Sequence, residues 1–282
     1  MRKIKWLRQV ISQLLLCGVG VYVIFPIWGI MRLAFDGSLF GRATEFRLFP
    51  KVWAFDSFLK VLDRPYQSVE FIVLLKNSLV VSIGAALMAL ILGGTLAYAF
   101  ARFRFPGRKP GLFVLLLTAV LPPIAFATPL YVVLSILHLR TTLIGLIIVY
   151  AVFALPFCIW NMRAGFQSIS KELEEAAYLD GAGPWMTFQK ITLPMALPSV
   201  FVAGLIAFLM AYSEFAIGWL FVDQASTVTL AMSIYAMVTS GSAQPWSMLG
   251  SLIIIMSIPV VIIFLLLQRT LFERMMFGSM KS

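Results

Sequence analysis

Two cysteines and one histidine occur in 282 residues, and charged side chains make up only 12% of the chain. Each scarcity excludes a class of protein. Cys17 and Cys158 both fall in apolar stretches, where an unpaired thiol behaves as a small hydrophobe. They offer neither a disulfide framework nor a metal site. No Cys/His cluster, no H-E-x-x-H and no G-x-S-x-G elbow occurs, so the usual hydrolytic centres lack their residues. No G-x-x-x-x-G-K-[ST] run occurs either, so the chain has no P-loop of its own with which to cradle ATP phosphates. Soluble domains are about a quarter charged and roughly half apolar; at 61% apolar this chain reads instead as a polytopic membrane protein. The net charge of +10 is dispersed over four short segments, which argues against a nucleic-acid surface.

Crossing a ~30 Å hydrocarbon core takes about 20 residues of helix. Six apolar runs qualify, at 14–31, 77–101, 112–137, 143–160, 196–222 and 248–267. The first lacks an A-x-A cleavage pattern and reads as an uncleaved anchor. Fourteen of the 22 basic residues lie in alternate segments: before span one, after spans two and four, and after span six. Lysine and arginine are retained on the cytoplasmic side, so both termini are expected there. The expected layout is a cytoplasmic N-terminus at 1–13, a transmembrane domain at 14–268 and a cytoplasmic tail at 269–282. Within it lie external loops at 35–76 and 223–246, and a cytoplasmic loop at 164–194. The run 228–238 is too short to span and reads as an interfacial or re-entrant helix.

Several residues within the spans invite a role. Ala85, Ala89, Gly93, Ala97 and Ala101 recur every four residues, a stripe of small side chains that admits a neighbouring helix. Pro122, Pro123, Pro129 and Pro156 remove backbone donors and predict kinks. Glu214 is an acidic residue inside an apolar run, costing about 2.5–3.5 kcal/mol on insertion scales at a helix centre. It is a candidate for lining the translocation path, with Tyr212 beside it. Tyr98, Tyr131, Tyr150 and Trp160 are aromatic surfaces on which a sugar could stack, and His138 beside Arg140 reads as a solvated interfacial histidine.

The loop 164–194 carries the most specific signal. Ser170 can cap a short helix whose Glu172, Glu174 and Glu175 lie near its positive start. Gly181 or Gly183 supplies the positive φ that ends it, and Pro184 suits the first turn of a second helix. Leu173, Ala176 and Ala177 give the first helix a small apolar face, with Glu175 at its rim. Trp185, Phe188 and Ile191 fall at three-residue steps along one side of the second.

Glu175-Ala176-Ala177, Gly181 and Ile191-x-Leu193-Pro194 match the EAA loop of ABC importer permeases. The flanks resemble the MalG-type branch that serves carbohydrate uptake: Asn77-Ser78-Leu79, the run from Ala97 to Arg102, Leu121-Pro122, Asp180-Gly181-Ala182, Glu214-Phe215 and Ile258-Pro259. Tyr212-Ser213 stands where that branch usually has Trp-Asn. The resemblance implies an all-α fold of six transmembrane helices in a bacterial inner membrane, working as a type I importer. It implies that Glu175, Ala176, Ala177, Asp180, Gly181, Ile191, Leu193 and Pro194 form the ATPase-coupling site. The implied partners are a second homologous permease, two copies of a cytosolic ATPase that uses ATP and Mg, an extracytoplasmic solute-binding protein and membrane lipid. The chain itself binds no cofactor on this reading. The 223–246 loop would reach the binding protein, and the C-terminal tail would touch the ATPase. A permease for a polyol or glycerol phosphate is the alternative, and a secondary transporter, which needs a second intramembrane acid that is not seen, is a more distant one.

Overall fold

The structure, a computed structural model, describes residues 6–39, 45, 47–239 and 245–279; for 7, 267 and 269–279 only the backbone is described. Among the described residues the elements are helical, with two isolated β-bridges, Asp36 to Trp53 and Tyr66 to Val69. In chain order they are α1 (Trp6–Phe35), α2 (Asp56–Asp63), α3 (Phe71–Arg102), α4 (Arg108–Val120), α5 (Ala127–Ile136), α6 (Leu143–Gln167), α7 (Lys171–Leu179), α8 (Pro184–Thr187), α9 (Leu193–Met195), α10 (Leu197–Ser213), α11 (Ala216–Phe221), α12 (Leu230–Thr239) and α13 (Trp246–Ser279). Four helices are long and apolar enough to cross a membrane singly: those containing Arg8–Phe35, Phe71–Arg102, Leu143–Gln167 and Trp246–Leu266. Two bent pairs bring the number of spans to as many as six.

The bends are sharper than the expected kinks. Arg108–Val120 and Pro123–Ile136 meet at 101°, so the run 112–137 is a broken element rather than one kinked helix. Leu121 and Pro122 at the break are extended, and neither Pro122 nor Pro123 can donate the amide bond that would carry the helix through. Pro156, by contrast, is absorbed inside α6. The run 196–222 also divides, into α10 and α11, with Glu214 extended between them. The other long helices overrun the expected limits, α3 starting at Phe71 and α13 continuing to Ser279.

The chain divides into two compact units, Met1–Phe71 with Ala236–Ile258, and Ile72–Tyr235 with Pro259–Ser282. In the second, half of the apolar stretch of α6 is buried, which makes it the central helix. Lipid tails are as apolar as leucine, so close approach and dispersion hold such helices together, and small residues permit it. The stripe on α3 does so: Ala85, Ala89 and Ala97 are fully buried, and a Cβ added at Gly93 would lie 3.3 Å from Cβ of Cys158 and 3.2 Å from Cε of Met162 on α6. On the α10 side, Gly165 backs directly onto Ser199, and the Cys158 thiol lies 3.6 Å from the Ala203 carbonyl.

In the first unit α13 meets α1 where Gly250 faces the backbone of Ala34. The described residues of 35–71 form a small lobe around Phe35, whose ring packs on those of Trp53, Phe55 and Phe58. Asp36 begins this lobe. Burial alone would raise its carboxyl, but the Ser38 hydroxyl and amide, the Lys51 amide and Arg32 together hold it below the ordinary carboxylate range.

A Cβ at position 250 would sit 2.8 Å from the Ala34 nitrogen, and backbone cannot step aside as a side chain can. Gly250→Val is therefore expected to cost about 1–3 kcal/mol, the usual penalty of overpacking. Thermal unfolding in detergent checks this, and an unchanged midpoint would show that α1 and α13 are not in close contact.

Candidate functional site

Segment 168–196 folds much as its local chemistry dictates. The Ser170 hydroxyl accepts from the Glu172 amide at 3.3 Å, capping α7. At the other end Gly181, not Gly183, takes the positive φ of 85°. The Ala182 amide then donates to the Ala177 carbonyl at 2.9 Å, closing the helix as a Schellman-type turn does. Pro184 opens α8 at its first position.

Two details depart from expectation. The second helix is not uniformly α: Phe188–Thr192 is a π-helical turn joining α8 to α9. Trp185 and Phe188 do share a side, their ring centroids 5.5 Å apart, but Phe188 is buried while Trp185 is 60% exposed. Phe188 packs against Tyr98 of α3 and Phe166 of α6, with ring centroids 4.8 and 5.9 Å away. On α7, Ala177 points inward at 7% exposure instead of contributing to an outward face; Leu173 and Ala176 do remain exposed.

The three glutamates of α7, equivalent by propensity, divide by burial. Glu172 and Glu175 are exposed, whereas Glu174 is 4% exposed and faces inward with Ala177, one turn along. Its Oε1 accepts from Arg102 Nε at 2.9 Å and from the Thr192 hydroxyl at 2.5 Å. Arg102 also donates through a terminal nitrogen to the Ile169 carbonyl at 3.0 Å. One carboxylate oxygen thus joins the last residue of α3, the helix α7 and the π-helical turn before α10. Sequence reading placed Arg102 among the family-like residues but did not pair it; the partner lies 72 positions away. The remaining members of the motif stand around this centre. Asp180 and Gly181 form the exposed turn, Ile191 and Leu193 are half-buried, and Pro194 is exposed just before the 79° bend into α10.

Glu214 is not a lone charge within a continuous helix. It sits at the break, where Oε1 accepts from the Ile217 amide at 2.9 Å and Oε2 from the Gly218 amide at 3.1 Å. Two amides at the start of α11 that lack helical partners are thereby satisfied. This carboxylate lines a cavity of about 70 Å³ with Pro123, Tyr150, Phe153, Met210, Ala211 and Ile217, a space sized for water rather than a sugar. Tyr212 is not in that lining; it is 3% exposed and stacks on Phe208 at 5.3 Å. Among the other aromatic candidates, Tyr98 and Tyr150 are buried, and Tyr131 lies under the Arg140 guanidinium at 4.1 Å. Arg140 pairs with Asp223, and His138 has a positive φ of 55° in the same turn.

At the opposite end of α3, Asn77 donates to the carbonyls of Ser226 and Val228 at 2.7 and 2.9 Å. The Ser78 hydroxyl accepts the Leu230 amide at 2.8 Å, capping α12. The run 228–238 is therefore a short helix, as expected, with Leu230, Met232 and Ser233 fully buried. Of the 223–246 loop, residues 240–244 lie outside the described residues.

Broken spans, a capped break and a helical knob tied to the end of a span define a polytopic membrane component. Comparison with known proteins agrees. The profile of binding-protein-dependent transport system inner membrane components matches residues 89–277. The chain is 28% identical to the trehalose transport system permease protein SugB of Mycobacterium tuberculosis, over 92% of this chain and 93% of that one. It is 31% identical to the diacetylchitobiose uptake system permease protein NgcG of Streptomyces coelicolor, over 92% and 84%. A chain in the crystal structure of a bacterial ABC transporter involved in the import of the acidic polysaccharide alginate shares the fold, with a TM-score of 0.77 at 22% identity over 95% of this chain and 98% of that one. The chain belongs to the family of binding-protein-dependent transport system inner membrane components. It is a multi-pass transport component rather than an enzyme, which sets the secondary-transporter reading aside.

Removing one partner of a buried ion pair leaves an uncompensated charge and costs about 3–5 kcal/mol, whereas replacing both by apolar groups of similar volume is often neutral. Glu174→Ala is thus expected to lower thermal stability strongly, and the double variant R102M/E174M to restore most of it. Equal midpoints for Glu174→Ala and the unaltered protein would contradict the burial of this pair.

Proposed function

We propose that the chain is the permease subunit of an ATP-driven carbohydrate importer, passing an oligosaccharide or monosaccharide across the cytoplasmic membrane by alternating access. Both termini and segment 168–196 face the cytosol on this reading, consistent with the distribution of lysine and arginine. The observation that carries the proposal is the outward surface of the EAA segment. Glu175 stands exposed, and the same short segment leaves Leu173, Leu179, Trp185 and Met186 at 44, 90, 60 and 47% exposure. Large apolar side chains left exposed on a segment outside the lipid mark a protein-binding site, and an exposed carboxylate among them selects a cationic partner.

The occupant is a cytosolic ATPase, two copies of which use ATP and Mg and supply the nucleotide site that this chain lacks. A second, similar permease completes the pathway. An extracytoplasmic binding protein delivers the sugar to the side that carries the 223–246 loop; the related alginate importer has been crystallised with its pentasaccharide-bound periplasmic protein. The names of relatives that handle trehalose, diacetylchitobiose and, in Bacillus subtilis, maltodextrin support a carbohydrate cargo. Within the membrane, Glu214 holds the α10 to α11 break open as a fixed corner of the path, with Tyr212 two residues before it.

The test is uptake by proteoliposomes containing the chain, its companion permease and the ATPase, with radiolabelled trehalose, diacetylchitobiose and maltodextrin offered with the cognate binding protein. ATP-dependent accumulation of one of them is expected. Glu175→Ala should reduce it by about 5- to 150-fold, the range of a lost coupling energy of 1–3 kcal/mol, with insertion unchanged. Wild-type uptake by Glu175→Ala would remove the coupling role, and accumulation of glycerol phosphate or a polyol in place of every sugar would change the cargo.

A further inference from the structure

Resting on that reading, we infer that α3 is the transmission rod of the subunit, and that Arg102, Glu174, Asn77 and Ser78 are the positioning residues that fasten its two ends. Segment 168–196 is joined covalently to α6 and α10 alone. Its link to α3 is the buried cluster of Arg102, Glu174, Thr192 and the Ile169 carbonyl. The cluster fixes direction as well as distance, because Arg102 donates from two nitrogens to two different acceptors. Tyr98, one turn earlier on α3, adds the ring contact with Phe188. A displacement of α7 therefore carries the end of α3 with it.

From Arg102 to Asn77 the helix is unbroken and contains no proline, spanning about 37 Å at 1.5 Å per residue. At the far end, Asn77 grips the carbonyls of Ser226 and Val228, two residues apart, and Ser78 caps the first turn of α12. Segment 226–230 thus has three side-chain bonds to α3, and its position follows that helix. A force applied by the ATPase to α7 reaches the loop assigned to the binding protein through one rigid element. By thermodynamic reciprocity, a protein seated on that loop biases ATPase docking through the same element.

The experiment is hydrogen exchange at the amides of residues 226–234 in the full-length chain, with and without the companion ATPase loaded with MgATP. In the unaltered protein, docking should change exchange at the Leu230 amide by at least about fivefold. The change should vanish in E174Q and in R102M/E174M, the latter retaining its fold, while exchange within α6 stays as in the parent. Docking with no change at 226–234 in the unaltered protein overturns the inference and leaves the functional proposal standing. So does a change of equal size in both variants, since the signal would then travel by another route. Failure of the ATPase to bind at all overturns the functional proposal, and the inference falls with it.

Discussion

The ion pair between Arg102 and Glu174 is the constraint on which the architecture of the second unit turns. Both side chains are withdrawn from solvent at 6 and 5% exposure, where an unpaired charge is costly. The pair is tolerated because each charge has a hydrogen-bonded partner: one carboxylate oxygen receives a guanidinium and a hydroxyl, and the guanidinium reaches a backbone carbonyl as well. Such a cluster contributes little net stability compared with an apolar one of the same volume, but it is specific about geometry. In a bundle where apolar faces slide against one another without preference, geometric specificity is what a force-transmitting contact requires. The surrounding features follow from it: the π-helical turn sets Thr192 against Glu174, and Phe188 turns inward to the ring of Tyr98.

Breaks in the spans have separate and equally local causes. At 121–123 two adjacent prolines remove donors, and the chain turns through 101°. At Glu214 no proline is present, and the break is held by a carboxylate that satisfies two amides. A charged residue in an apolar run suggests a ligand or an ion; here its two oxygens are already engaged by its own backbone. The cost of placing a carboxylate there is offset by amides that would otherwise lack partners.

Much of this was legible from the sequence wherever a local rule governed. Ser170, Gly181 and Pro184 each did what a cap, a left-handed turn and a first-turn proline do, and the small stripe on α3 is a packing face against α6. Long-range and register-dependent features were not legible. Glu172, Glu174 and Glu175 differ in no intrinsic property, so only the tertiary fold reveals that Glu174 is buried and Glu175 presented. Ala177, read as part of an outward face, is buried for a related reason: a helical wheel gives faces but not which face is covered. The division of 196–222 at Glu214 was hidden because the apolar run continues on both sides of it.

The central claim is that the end of α3 and the EAA helix move as one body. Spin labels at Leu96 and Lys171, both exposed, report this directly by pulsed electron resonance in the reconstituted importer. The account predicts superimposable distance distributions in nucleotide-free and ATP-trapped states, while R102M/E174M gives a broader one. A distance that shifts between the two states in the unaltered protein would contradict it.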